Sequence, residues 1–326
     1  MVRGDPDDDR AGMSPRRGVE IVHWNPRRNR LRFLHRFAIG PRVGNFGDLL
    51  GPLVTSMVLP AVGLAAGARP PEPRRLLTVG SILHLARDGD TVWGSGVNGK
   101  EPVESHRARR LDVRAVRGPA TAAWVQEHLQ IEVPPVFGDP ALLLPVLLPE
   151  LLDVDRTTRL SVVPNLHDLS RYAGHPDLVD PRGDPLAVVS RIARSEAVVT
   201  SSLHGLVVAE AFGIPCALVR AGVEPEFKYL DYAGGTGRGE LRTFDDPVSA
   251  TRYATSPGAA REPALAGWDP TALLDAFPVD LWDPSRVLPP SGDTVPTSSP
   301  DDPHPPRRRT YAETPARHAD RSSRAT

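Results

Sequence analysis

The residues best placed to do chemistry cluster in one stretch, Ser195 to Arg220, which reads SEAVVTSSLHGLVVAEAFGIPCALVR. An apolar run from Ala197 to Val199 meets a polar hinge of Thr200, Ser201 and Ser202. His204 and Gly205 follow, then an apolar run to Phe212, a stop at Gly213 and a second apolar run through Val219. The order is strand, tight turn, helix, strand. Serine and threonine are good helix N-caps, and Gly213, with Pro215 just beyond, marks the C-terminal end. His204 therefore falls in the first turn of a helix, just past the C-terminal end of a strand, where open α/β sheets bind ligands. Such a helix start favours anions. Its dipole disfavours an imidazolium, and a bound anion reverses that effect. From position alone, His204 reads either as a surface histidine in a strand–helix loop or as a site residue.

Other candidates sit at similar junctions. Gly44-Asn45-Phe46-Gly47-Asp48 leads into the apolar LLGPLVTSMVLPAVGL. The glycines permit a tight turn, and Asn45 or Asp48 can cap the helix that follows. This turn is either a phosphate cradle or a plain cap; it matches neither GxxxxGK[ST] nor GxGxxG. Arg74 to Ser81 and Asp90 to Gly96 are strand candidates ending in Gly and Ser. Asp112 to Arg117 is another, and Pro119 begins a helix running to Leu129. Arg117 again stands at a strand end before a helix. In Gly138-Asp139-Pro140 the aspartate reads as a structural cap. After Arg220 the sequence turns loop-like (AGVEPEFKYLDYAGGTGRG), with Lys228, Tyr229, Asp231, Tyr232 and Arg238 among glycines. That loop is either a solvated surface or a wall of the same cleft.

The elements that must position these groups alternate strand with helix from Val19 to about Pro149, and again from Leu160 to Arg220. Such alternation implies parallel sheets covered by helices. In the second half, Asn165 to Tyr172 reads as a polar turn or helix, Leu178 to Asp180 as a short strand and Pro185 to Arg194 as an amphipathic helix; Asp269 to Trp282 reads as a closing helix. The expected division is a disordered segment over 1–18, one α/β domain over 19–150, a second over 151–282 carrying His204, and a disordered Pro- and Ser-rich tail over 283–326.

Composition narrows the function. The chain has 326 residues, with 39 Lys plus Arg against 40 Asp plus Glu, a net charge of -1. That balance gives no electrostatic case for nucleic acid. Its one cysteine, Cys216, lies inside an apolar run and reads as a small buried residue. The charged N-terminus lacks the apolar core of a secretory signal, and no apolar run approaches the roughly 18 residues of a membrane span. A cytoplasmic protein is expected. No HExxH, CxxC or acidic cluster suggests a metal, and no GxSxG elbow suggests a serine hydrolase. Cationic groups at strand ends and helix starts suit a substrate with carboxylate or phosphate, and one histidine can serve as general acid or base. The residues alone lead to two parallel α/β domains with an anion-binding cleft between them.

The order NFGD, VWGSG, VRGPAT, GDPALLLP, SSLHGLVVAEAFGIP and FKYLDY, from about Gly44 to Tyr232, resembles the polysaccharide pyruvyl transferase family. The resemblance implies two Rossmann-like halves facing across a cleft, as in GT-B glycosyltransferases. It implies phosphoenolpyruvate as donor substrate, with no cofactor besides. It also implies a sugar of a cell-surface polysaccharide, or its lipid-linked oligosaccharide precursor, as acceptor. A lipid-linked acceptor would bring peripheral contact with a membrane. By this resemblance His204 matches the catalytic general acid and Arg117 the arginine that holds the donor. Asn45, Asp48, Ser201, Ser202, Gly205, Lys228, Asp231 and Arg238 are the expected substrate-binding residues. Some similar proteins place an arginine two residues before the histidine and others a serine, as this chain does at Ser202; Lys228, Arg238 and Arg220 are candidates for the missing charge. The competing expectations are a GT-B glycosyltransferase with a nucleotide-sugar donor, and a non-catalytic family member.

Overall fold

The structure, a computed structural model, describes residues 18–26, 42–64, 73–257 and 264–286. The expected disordered ends and the Arg-rich segment after Trp24 lie outside the described residues, apart from their edges. Among the described residues, short apolar runs form eight strands in two sheets. β1 (Val19–Val22), β2 (Arg74–Leu77), β3 (Thr91–Ser95) and β4 (Asp112–Val116) pair in that order, all parallel. β5 (Ser161–Val163), β6 (Val198–Thr200), β7 (Cys216–Val219) and β8 (Thr243–Phe244) do the same. The expected α/β class with parallel sheets is what the chain forms, and both sheets belong to one compact unit.

Among the described residues, eight helices connect and cover the strands: α1 (Phe46–Ala61), α2 (Pro119–Leu129), α3 (Leu144–Leu147), α4 (Pro185–Ala193), α5 (Leu203–Ala211), α6 (Phe227–Gly235), α7 (Pro247–Ala254) and α8 (Pro270–Asp275). Three apolar clusters hold them. The largest lies between the sheets. There α1 presents Phe46, Leu50, Val54 and Val58 at four-residue spacing, one helical face, against Leu206 and Val207 of α5 and Val189 of α4. The backbone N–H of Phe46 also donates to the Pro181 carbonyl at 2.7 Å. A helix that follows the first strand is thus built into the second half. The other two clusters are the outer faces. Leu77, Val92 and Val116 pack under Val125 and Leu129 of α2, and Val199 and Val219 pack under Ala250 and Ala254 of α7. In β3, Val92 faces the outer cluster while the adjacent Trp93 faces the inner one, the two-residue alternation of a strand covered on both sides.

The closing segment crosses back to the first sheet. The Trp93 indole N–H donates to the Leu273 carbonyl at 2.8 Å, the Phe277 ring sits edge-on to Trp93 at 4.9 Å, and Arg114 pairs with Asp280 at 2.9 Å. Pro278 divides the expected single helix over 269–282 into α8 and a 3₁₀ turn, Val279–Leu281. Among the described residues no helix is long and apolar enough to cross a membrane.

The stretch after Arg220 corrects the sequence reading: residues 227–235 are not loop but the helix α6. Tyr229, Tyr232 and Ala233 are buried at helical spacing, so the apolar period was present. The glycines that suggested a loop serve a close helix crossing. A Cβ at Gly235 would lie 2.1 Å from the Arg117 carbonyl oxygen, and one at Gly118 would lie 1.9 Å from that of Asp231. β8 and α7 were also not foreseen. α7 starts with Asp246 accepting from the Ser249 N–H at 2.8 Å, with Pro247 in the first turn.

At that crossing two fully buried charges join the halves. Arg117 Nε donates to Asp231 Oδ2 at 2.9 Å. The same carboxylate accepts from the Thr121 N–H at 2.8 Å and hydroxyl at 2.7 Å, so an aspartate of α6 caps α2. Removing one partner of a buried pair strands the other charge at a cost of about 3–5 kcal/mol, whereas replacing both with apolar groups is often neutral. Arg117→Met should therefore lower the urea midpoint strongly, and Arg117→Met with Asp231→Leu should recover much of the loss. A double variant as unstable as the sum of the single ones would show that the pair does not tie the halves.

Candidate active site

A cavity of about 240 Å³ opens where the strands of both sheets end. Every wall comes from a residue just past a C-terminal strand end or at a helix start. The first half supplies Trp24 after β1, Asn45 and Asp48 at the start of α1, Ser81 and His84 after β2, and Asn98 and Lys100 after β3. The second half supplies Asn165 and His167 after β5, Ser202 and His204 at the junction of β6 and α5, and Glu224 and Lys228 between β7 and α6. That is the expected place for a ligand in parallel α/β sheets.

The histidine junction is tightly built. Thr200 Oγ1 donates to the Val163 carbonyl at 2.6 Å and accepts from the Ser202 N–H at 2.9 Å. A Cβ at Gly205 would come within 2.3 Å of that hydroxyl. Ser202 Oγ accepts from the Gly205 N–H at 3.4 Å and caps α5. Gly213, at φ +65°, ends the helix turn as expected. The His204 ring is 10% exposed. Its Nε2 is shielded from solvent, has no hydrogen-bond partner, and lies 3.6 Å from Asp139 Oδ2. Its Nδ1 side lies against Gly47, where a Cβ would fall 2.3 Å away.

Charge in the cavity is closely balanced. Lys228 Nζ donates to Glu224 Oε2 at 2.7 Å, and Lys100, from the first half, donates to Glu224 Oε1. Burial pushes the Lys228 ammonium below the usual lysine range, opposed by Glu224. Burial also works to raise the Glu224 carboxyl, but Lys228 and Lys100 outweigh it and hold the group below its ordinary value. Asp48 accepts from the Asn45 amide at 2.7 Å. Burial raises its carboxyl above the ordinary value, against the opposing pull of Asn45, His204 and Lys228.

Of the residues singled out in the sequence, Asn45, Asp48, Ser202, His204 and Lys228 share this cavity. The Asn45 side chain makes no cap hydrogen bond to α1; it holds Asp48 instead. Ser201 is a strut: it donates to Asp168 at 2.8 Å and accepts from the Asn165 N–H at 2.9 Å. Arg117 and Asp231 are sealed in their pair behind the wall, and Arg117 reaches the cavity through Ser81, whose Oγ accepts from Nη1 at 2.5 Å. Arg238 is clamped on Glu210 by two hydrogen bonds of 2.8 Å and lies over the Tyr232 ring. Arg220 pairs with Glu226 and Asp245 on the exposed surface. Ser81, Lys100, His167, Glu224 and Asp139 were not picked from the sequence as site residues. Ser81 ends a predicted strand and the next three follow one within a few residues, a signal available in the chain. The reach of Asp139 to His204 has no local signature.

The chain is 32% identical over 233 residues to the succinoglycan biosynthesis protein ExoV of Rhizobium meliloti (strain 1021); the match covers 66% of this chain and 69% of that protein. The family described as polysaccharide pyruvyl transferase matches residues 82–220. The chain belongs to the polysaccharide pyruvyl transferase family. The matched span runs from the end of β2 to the end of β7 and holds Arg117, Asp139 and His204. The cavity residues Trp24, Asn45, Asp48, Ser81, Glu224 and Lys228 lie outside it.

A raised carboxyl has a consequence for stability. The folded value of Asp48 lies above the unfolded 3.8, so the ionised form is tolerated less well in the fold than in the open chain. Its favourable contribution is complete below pH 3.8 and is lost as pH rises through the folded value. Asp48→Asn keeps an acceptor for Asn45 without the charge. It should raise the urea midpoint at pH 7 and leave it unchanged below pH 3.8. An equal gain at both pH values would refute the assignment.

Proposed function

We propose that this protein transfers the pyruvyl group of phosphoenolpyruvate to two hydroxyls of one sugar, in a cell-surface polysaccharide or its precursor, forming a ketal and releasing phosphate. The observation that carries this reading is His204, held at a strand-end cavity beside Lys228 and Lys100, in a chain of the polysaccharide pyruvyl transferase family. On this reading the two sheets are the two halves of a GT-B-like arrangement.

The chemistry suits the groups present. Phosphoenolpyruvate carries a carboxylate and a phosphate, so it needs positive charge. The N-terminus of α5, Lys228 and Lys100 supply it, and Glu224, which now binds both lysines, must give way to or share them with the donor. The imidazolium of His204 gives a proton to C3, and positive charge develops at C2. A first sugar hydroxyl adds to C2. Phosphate then departs with the electrons of the C2–O bond, and a second hydroxyl adds to close the ketal. One of the two hydroxyl protons restores the imidazolium, and the other leaves with phosphate. Carbon is neither oxidised nor reduced overall, so the reaction asks for no redox cofactor. Asp48, across the cavity wall on α1, is the carboxylate available to relay a hydroxyl proton.

Phosphate release from phosphoenolpyruvate that depends on an added oligosaccharide acceptor tests the reading. His204→Gln should lower kcat by about 100-fold or more, the usual range for loss of a general acid. Lys228→Met should act chiefly on KM for phosphoenolpyruvate. Full turnover in His204→Gln would sink the assignment. Thermal stabilisation by a nucleotide sugar, and none by phosphoenolpyruvate, would point to a glycosyltransferase instead.

A further inference from the structure

Asp139 uses its two oxygens unequally. It is fully buried and follows Phe137, which bridges to Val116 at the edge of the first sheet. Oδ1 accepts the Ala141 N–H at 3.0 Å and caps the short helical turn that begins at Pro140. Oδ2 has no hydrogen-bond partner and faces His204 Nε2 at 3.6 Å, a nitrogen equally buried and unpartnered. Two buried polar atoms left alone would each cost free energy, so their facing one another calls for an explanation. A shift of a few tenths of an ångström closes the gap to a hydrogen bond, and catalytic hydrogen bonds commonly tighten in this way when substrate binds.

The other edge of the ring points elsewhere. Nδ1 lies on the side of Gly47, at the start of α1, where Asn45 and Asp48 line the cavity. Glycine at 47 is what clears this edge, since any Cβ would meet the imidazole. Nε2 is thus turned against a carboxylate, and Nδ1 against the backbone of α1 at Gly47, between the cavity-lining Asn45 and Asp48.

We propose that Asp139 is a positioning residue that holds the Nε2–H of His204, leaving Nδ1, on the α1 side beside the cavity-lining Asn45 and Asp48, to exchange the proton with substrate. The inference rests on the pyruvyl-transfer reading only for the identity of that substrate. Asp139 fixes the ring and its tautomer, and its charge balances the imidazolium when the second proton is bound. The charged groups facing the ring are Asp139 from the Pro140 turn and Asp48 from α1; Lys228 of α6 lines the same cavity.

Asp139→Asn separates this role from the cap. The Ala141 N–H requires an acceptor, so the asparagine carbonyl takes the Oδ1 position and the NH₂ faces His204 Nε2. A donor there cannot face Nε2–H. The neutral ring is driven to its Nδ1–H tautomer, and the imidazolium is disfavoured. Ring ¹⁵N shifts of His204 at neutral pH should show Nε2–H in the native protein and Nδ1–H in Asp139→Asn. The variant should keep its melting temperature and its KM for phosphoenolpyruvate while kcat falls about 100-fold or more. Gly47→Ala, which leaves Asp139 untouched, should also lower kcat by crowding the Nδ1 edge. A native ring in the Nδ1–H form would overturn the proposal, as would an Asp139→Asn protein with native tautomer and kcat. If Asp139→Asn fails to fold, the native spectrum and Gly47→Ala still decide. A native protein that releases no phosphate from phosphoenolpyruvate would sink the pyruvyl-transfer reading instead, and the tautomer measurement would stand apart from it.

Discussion

The buried pair of Arg117 and Asp231 organises both walls of the site without entering it. Taking two ions out of water costs several kcal/mol each, and only good geometry with further hydrogen bonds offsets that. Here Asp231 accepts from Arg117 and twice from Thr121. Arg117 also donates to the Val97 carbonyl at 2.7 Å and to Ser81. The aspartate sits at the N-terminus of α2, where the helix dipole favours a negative charge. On one side the pair holds Ser81, a cavity wall of the first half. On the other it fixes α6, which carries Lys228 one helical turn before Asp231. Resemblance alone assigns Arg117 to the donor; the structure places it behind the wall, where it sets the position of groups that do face the cavity.

The cavity itself is held against the preferences of its charges. Burial disfavours the ionised forms of Asp48 and Lys228, and neighbours rather than solvent restore part of the balance. Groups kept in this condition are typical of sites that move protons or bind anions. The surrounding core bears the cost. Phe46, Leu50, Val54 and Val58 are wholly buried, and they anchor α1 in the second half while its first turn presents Asn45 and Asp48 to the cavity.

Features written locally were legible in the sequence. The strand, cap and glycine stop around His204 depend on Ser202, Gly213 and two apolar runs, all within about two dozen residues. The parallel sheets follow from the same alternation repeated. What escaped depends on contacts distant in sequence. Gly118 and Gly235 allow α2 and α6 to touch, and from sequence the second of them suggested a loop. Arg117 at a strand end predicts an open cation; its burial is decided by Asp231, 114 residues away. Asp139 does act as a cap, as read, but its second oxygen points to a histidine that only the fold brings near.

That leaves the charge absent at Ser202. By the resemblance, some similar proteins carry an arginine there, two residues before the histidine; here, as in others, a serine stands there, caps α5 and brings no charge. On the proposed reading, two lysines from opposite halves, Lys100 and Lys228, supply that charge by another route, and they meet on a single carboxylate, Glu224. A lysine is a compact point charge, without the planar fork with which arginine grips two oxygens. Two lysines can match the charge of one arginine while leaving orientation to other groups. On the proposed reading, Glu224 stands where an anion of the donor must compete. Because Lys100 comes from one half and Lys228 from the other, displacing it would exchange an internal bridge across the cavity for one made through the substrate.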